Sequence, residues 1–202
     1  MLQVRDIDEA ISLHREALEL RVVAHPDQFI TLTHLSYTLD KRFNHTDDMG
    51  DINEAILLQR EALQLLPADH PDRPGALNNL ATALDARFSQ TGQLGDVDKV
   101  ILLQRDVVRL RPDPHPNRWS SLTNLAGALH TRFSQTGHVR EVDEAISLHR
   151  QVLELLSPDH SLWSTVLNNL AIALNARFNG TGQIKDIDET ISLHWDALKL
   201  LP

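Results

Sequence analysis

Eleven histidines are the residues of this 202-residue sequence best suited to chemistry, as zinc ligands or as general bases near neutral pH. Most fall in two sets: His14, His149 and His194 recur at one place of a repeating pattern, and His25, His70, His115 and His160 at another. Members of a set stand whole repeats apart, about 10 Å for each repeat of stacked helices, whereas zinc draws its ligands to about 2.0–2.1 Å. No His-x3-His or His-Glu-x2-His pair and no histidine–carboxylate cluster lies on one helix face. The first set therefore reads as half-buried packing residues and the second as caps of the linkers. Neither a metal nor any other cofactor is expected.

Nucleophilic and phosphate chemistry find no footing either. There is no cysteine, hence no thiolate nucleophile, thiolate zinc site or disulfide framework. There is no glycine-rich phosphate loop and no nucleophile elbow, and the carboxylates recur at every helix start instead of forming one isolated pair. The chain is not expected to be an enzyme. Arg42, Arg87, Arg132 and Arg177 form a row that could hold an acidic ligand. By helical angle, however, Arg87 lies about 80° to one side of its helix's leucine stripe, facing away from the polar residues on the other side. A structural pairing with an acidic helix start such as Asp96 or Asp98 is the expected use of this row.

The opposite polar stripe is richer in binding chemistry. It comprises Thr33, His34, Tyr37, Asp40 and Lys41, then Asn78, Asn79, Thr82 and Asp85. Next come Thr123, Asn124, Gly127 and His130, and finally Asn168, Asn169, Ile172 and Asn175. An amide offers a donor and an acceptor together, so asparagines at repeat spacing can pair with the main chain of an extended peptide whatever its side chains. Asparagine is also a mediocre helix former that an idle surface has no need of.

What positions these residues is a period of 45. The skeleton Leu-x-x-Leu-small-x-x-Leu-x-x-Arg-Phe begins at Leu32, Leu77, Leu122 and Leu167, each 45 residues after the last, and ends at Phe43, Phe88, Phe133 and Phe178. A fixed period of this size marks a solenoid, in which one small unit stacks on its neighbours to bury a face it cannot bury alone. Leu77, Leu80, Ala81, Leu84 and Phe88 fall within one helical stripe, and the small residue (Ser36, Ala81, Ala126, Ala171) permits close approach of two helix backbones. Gly92, Gly137 and Gly182 close these helices in the left-handed conformation.

A second helix type follows each skeleton. Asp6-x-x-Glu9, Asp51-x-x-Glu54, Glu141-x-x-Glu144 and Asp186-x-x-Glu189 read as capping boxes that start it, Asp96 having Lys99 instead of a glutamate. It stops near Arg21 in the first copy, and later at Pro67, Pro112, Pro158 and Pro202. Pro26, Pro71 and Pro116 then open the next helix from its first turn. The expectation is an all-α, right-handed α-solenoid of nine helices and no strand. It is a single body over residues 1–202, with an orphan helix at 6–21 and hairpins at 26–66, 71–111, 116–156 and 161–201.

These residues resemble the tetratricopeptide repeat. Leu77-x2-Leu80-Ala81-x2-Leu84 fits its first helix, Ala55-x3-Gln59-x2-Ala62 its second, and Pro67, Pro112 and Pro202 its closing proline. The unit here is longer than the roughly 34 residues of that family. His14, Gln59, Gln104, His149 and His194 stand where the family places an aromatic. Leu-Asn-Asn-Leu-Ala also looks like the lengthened repeats of kinesin light chains. The whole is similar to tetratricopeptide arrays of mushroom-forming fungi, often found beside a nucleotide-binding or caspase-like peptidase domain. The resemblance implies that the polar stripe lines a concave groove holding a peptide or partner protein. The groove residues would be Thr33, His34, Tyr37, Asn78, Asn79, Thr82, Asp85, Thr123, Asn124, His130, Asn168, Asn169 and Asn175.

Charge narrows the partners. With 28 acidic against 19 basic residues the formal charge is −9, and the basic residues are scattered, so no stripe exists to neutralise phosphates. Neither nucleic acid nor an anionic membrane is an expected partner. No apolar run approaches the roughly 20 residues needed to span a bilayer, and no signal peptide opens the chain. A cytoplasmic location is expected, in which the glycosylation-like triplets at Asn44 and Asn179 carry no meaning. Two functions compete: a peptide-binding scaffold, and a sensor or oligomerisation segment of a larger signalling protein. A start within a repeat and an end at Pro202 suggest an excised piece and favour the second, while the asparagines favour the first. Trp195, standing where Arg15, Arg60, Arg105 and Arg150 stand, makes the last helix a candidate for self-association.

Overall fold

The computed structural model describes residues 4–20 and 27–199. Among them are nine helices and no strand: α1 (Val4–Glu19), α2 (Gln28–Thr46), α3 (Met49–Leu65), α4 (Arg73–Thr91), α5 (Leu94–Leu110), α6 (Arg118–Thr136), α7 (Val139–Leu155), α8 (Trp163–Thr181) and α9 (Ile184–Lys199). They pack as two compact units, Met1–Val107 and Val108–Pro202. The expected end of α1 near Arg21, the His25-Pro26 linker and Pro202 lie outside the described residues.

In the first unit α1, α2 and α3 enclose a core of Ile7, Ile11, Leu35, Leu39 and Ala55. In the second, Phe133, Val142, Ile146, Leu170, Ala173 and Leu174 form the equivalent core. The leucines of the skeleton are buried in every copy, as their spacing requires. The small residue after the second leucine allows the helices of a hairpin to approach closely. The Ser36 hydroxyl donates across to the Ala55 carbonyl at 3.1 Å, and in the last hairpin Thr190 donates to Ala171 at 3.4 Å.

Each hairpin turns in two residues. The residue after the first helix is left-handed, with φ of 65°, 70° and 74° at Gly92, Gly137 and Gly182, and its N–H closes on the carbonyl of Phe88, Phe133 or Phe178. In the first copy Asp47 takes this conformation at φ 56°, as aspartate tolerates better than most residues. The preceding threonine completes the turn. Thr46, Thr91, Thr136 and Thr181 each donate their hydroxyl to the carbonyl four residues back and accept the N–H two residues on.

The second helices begin earlier than the capping-box reading places them, by three residues in α3 (N-cap Asp48 in place of Asp51). Asp48 is the N-cap of α3, accepting from Gly50 N at 2.8 Å, so Asp51 is already inside the first turn. Asp51, Asp96, Glu141 and Asp186 are therefore not caps. They are buried carboxylates receiving the arginine row. Arg42 forks onto both oxygens of Asp51 at 2.8 and 2.6 Å, Arg87 onto Asp96 at 2.8 and 2.7 Å, and Arg177 onto Asp186 at 2.9 and 2.6 Å. Arg132 reaches Glu141 at 3.2 Å. Each fork's remaining nitrogen extends to the previous repeat: Arg42 to Asp8, Arg87 to Asn53 and Arg177 to Asp143. The arginines are structural, as their helical angle implies.

The linkers differ from expectation in detail. Pro71 and Pro116 lie in turns before α4 and α6, and it is Pro74 that occupies the first turn of α4. The linker histidines do act as caps: Nδ1 of His70, His115 and His160 accepts the N–H two residues on, at 3.2, 3.1 and 3.2 Å. Arg73 and Arg118 then donate back to the last carbonyls of the preceding helix, at 2.6 Å to Leu66 and 2.8 Å to Arg111, where a cation complements the helix dipole.

Asp96 is only 2 % exposed, and the hydrogen bonds from Arg87 hold its carboxyl below the ordinary range. Arg87→Met should therefore destabilise the chain by about 3 kcal/mol, because it strands a buried carboxylate. Arg87→Met combined with Asp96→Leu should recover most of the loss. Urea unfolding midpoints measure both, and a single variant as stable as wild type would show that the fork carries no structural weight.

Candidate functional site

The polar stripe lies on the first helix of each hairpin, and the arginine forks leave it uncommitted. In the first unit α2 and α4 run side by side, and their stripes meet at two clefts. One, of about 300 Å³, is lined by Phe29, Ile30, Thr33, His34, Asp72, Gly75, Ala76 and Asn79. The other, of about 200 Å³, is lined by Ser36, Tyr37, Asp40, Lys41, Gln59, Asn79, Thr82 and Ala83. The structure thus brings Thr33, His34, Tyr37, Asn79 and Thr82 together, with Asn79 shared by both clefts. Asn78 and Asp85 line neither. Asn78 is half-buried with its Oδ1 lacking a protein partner, while Asp85 is exposed at the far end of the stripe.

In the second unit the stripe is carried by α6 and α8. Asn124 is exposed, whereas Thr123 is half-buried and donates its hydroxyl to the Trp119 carbonyl at 2.9 Å. On α8 Asn168 and Asn175 are exposed and Asn169 is half-buried. Asn168 Oδ1 accepts from His194 Nδ1 of α9 at 3.2 Å. Register separates the asparagines into two rows: Asn79, Asn124 and Asn169 stand one period apart, and Asn78 and Asn168 share a second row with Thr123. The second row is tied into the fold at Asn168.

The floor of these faces is a feature the sequence reading missed. Gln59 and Gln104, which stand where the family places an aromatic, and His149, expected to be half-buried, are 1 %, 5 % and 4 % exposed. Gln59 Oε1, Gln104 Oε1 and His149 Nδ1 have no protein hydrogen-bond partner. His14 is half-buried and His194 exposed. The signal was present in the sequence, as a polar residue recurring where tetratricopeptide repeats carry an aromatic. Its depth was not. Beside each floor residue stands the stripe residue of the same hairpin: Asp40 beside Gln59 in one cleft, and His130 close enough to His149 to perturb it. Among the described residues no group of three histidine, aspartate or glutamate side chains could hold a metal ion, and no helix is long and apolar enough to cross a membrane.

Burial, and secondarily the neighbouring His130, push the His149 imidazole down from 6.5 to about 4. Between these values the unfolded chain binds a proton at this site that the folded chain refuses. Protons therefore favour unfolding, and stability is full above about pH 6.5 and falls towards pH 4, by up to about 3 kcal/mol from this residue. His149→Gln, which installs the residue of the two preceding copies, should flatten that dependence. Urea midpoints at pH 4.5 and 7 compare the two chains, and an unchanged slope would refute the assignment.

No protein-family model matches the sequence, and no curated protein matches it. Solved structures do. A Podosopora anserina protein described as a kinesin light chain with nearly identical TPR-like repeats superposes with a TM-score of 0.67 at 21 % identity, over 93 % of this chain and 87 % of that one. MamA protein gives 0.59 at 16 % identity over 98 % and 90 %. BtubC from P. vanneervenii gives 0.58 at 18 % identity over 98 % and 76 %. With its two-helix unit, buried leucine skeleton and glycine-closed turns, the chain has the fold of a tetratricopeptide-like helical repeat array.

Proposed function

We propose that this chain is a protein–protein interaction scaffold in which the α2/α4 face of the first unit and the α6/α8 face of the second each hold an extended stretch of a partner protein. The observation that carries this reading is the pair of clefts sharing Asn79, on a face whose polar side chains the fold does not need. An accessible amide can satisfy both a C=O and an N–H of an extended main chain, so the exposed Asn79 and Asn124 and the half-buried Asn169 supply backbone recognition that tolerates many sequences. The clefts beside them supply side-chain preference. A cytoplasmic setting suits such a scaffold. The partner is a protein, since the 19 basic residues are scattered among 28 acidic ones with no stripe to meet a nucleic acid or lipid surface.

Each amide contributes a net hydrogen bond of about 0.5–1.5 kcal/mol. Asn79→Ala, Asn124→Ala and Asn169→Ala should thus each weaken a bound partner several-fold, and together by well over ten-fold, while the melting temperature stays put. The partner is obtained by pull-down with the chain and measured by calorimetry. A triple variant that binds unchanged would place recognition on another surface, and one that unfolds would make the asparagines structural.

A second reading, assembly through the last helix, rests on α9. Ile191 is 52 % exposed, although its counterparts Ile11, Ile56, Ile101 and Ile146 are at most 4 % exposed. Trp195, 62 % exposed, stands where Arg15 and Arg150 reach into the following repeat to pair with Glu54 and Glu189 at 2.8 Å. An aromatic at a repeat-to-repeat contact position suits a second copy of the chain. Sedimentation should show concentration-dependent dimers that Trp195→Arg abolishes; a monomer at high concentration for both chains would rule this out.

A further inference from the structure

The 200 Å³ cleft of the first unit gathers several hydrogen-bond acceptors. The Ser36 hydroxyl spends its proton on the Ala55 carbonyl at 3.1 Å, and that of Thr82 on the Asn78 carbonyl at 3.1 Å, so both present lone pairs to the cleft. Gln59 Oε1, on a residue 1 % exposed, has no protein donor. Asp40 receives one bond, from Asn44 Nδ2 at 3.3 Å, and an ionised carboxylate can accept about four. A buried acceptor without a donor destabilises the free chain, and a ligand bringing several donors at once relieves that cost.

The rim is built for the same charge. Lys41 Nζ already rests over the Tyr37 ring, 4.9 Å from its centroid, which shows the ring serving as a cation platform. Burial raises the Asp40 carboxyl, and Lys41 acts against it, so a second cation beside Asp40 would favour its ionised form further. The chain's formal charge of −9 points the same way.

We infer that this cleft receives a basic side chain, arginine or lysine, from the peptide held along α2 and α4. Its guanidinium or ammonium sits against Asp40 beside the Gln59 side chain, with its stem against Tyr37. This deepens the peptide-binding reading and rests on it. The neighbouring cleft, with Phe29, Ile30 and Ala76 on its walls, takes an apolar residue of the same peptide. The preference belongs to the first unit, because Ala126, Gly127, His130 and His149 stand at the matching positions of the second.

The test is selection of a random twelve-residue peptide library on the full chain, followed by fluorescence polarisation with the peptides recovered. One position should be enriched in arginine or lysine. Replacing that residue by alanine should weaken binding about ten-fold or more, as should the protein variant Asp40→Asn, Gln59→His. The two changes together should weaken it little further than either alone, since they remove one contact. That variant installs the pair the last copy carries, Asn175 and His194, and circular dichroism melting verifies its fold. Selected peptides without a basic position, or binding that ignores the variant but is lost with Asn79→Ala, would overturn the cation pocket and leave the peptide-binding face standing. Recovery of no peptide of any composition would overturn that reading and the pocket with it.

Discussion

The pairing of an arginine with a buried carboxylate at each hairpin turn, a two-oxygen fork at three of the four, is the interaction on which the rest depends. A carboxylate in the first turn of a helix is favoured by the dipole, but at 2 or 3 % exposure it loses most of its hydration, and only close pairing repays that loss. The planar guanidinium meets both oxygens of Asp51, Asp96 and Asp186 and has a nitrogen left for the preceding repeat. One side chain thereby sets the angle within a hairpin and its register against the helix before it. A lysine could not do both.

This use of arginine decides where recognition can occur. It consumes the arginines on one side of the first helices and leaves the other side mostly to amides, hydroxyls, acids and histidines. The floor under that side is polar, whereas a large aromatic in its place would fill the space between three helices with carbon. Gln59, which lines a cleft, and His149 instead leave buried hydrogen-bonding atoms without a protein partner. The two units then diverge in chemistry on one backbone plan. An acid and an amide sit together in the first, and two histidines held neutral by burial in the second. A repeat protein can hold its fold constant through the fork and vary its ligand through this pair.

Some local features read from sequence correctly because they depend on a few residues of one segment. Glycine directly after a helix favours a left-handed closing residue, and Gly92, Gly137 and Gly182 adopt it. Others were misread because two different motifs share a spelling. An acid three residues before a glutamate describes a capping box, but Asp51 is an interior carboxylate and Asp48 is the cap. The two arrangements differ in whether Arg42 reaches the acid, a contact between helices that no single-helix pattern contains. The prolines of the linkers shifted for a similar reason, since the turns there are closed by histidine Nδ1 atoms ahead of the helices.

The sequence by itself determined the period of 45, the alternation of two helix types, the leucine stripe and the side on which the arginines lie. These are relations of spacing along the chain or of angle around one helix, and copies that share one skeleton reinforce them. Tertiary structure alone decided which polar residues are exposed and which are buried without partners. Asn79 and Asn78 are neighbours in sequence, yet one joins two clefts and the other does not, because their exposure depends on where α2 comes to rest against α4. Gln59 carries the same side chain as any solvated glutamine. Its burial follows from three helices converging on it, and the unsatisfied oxygen that makes it a candidate for recognition exists only once they have packed.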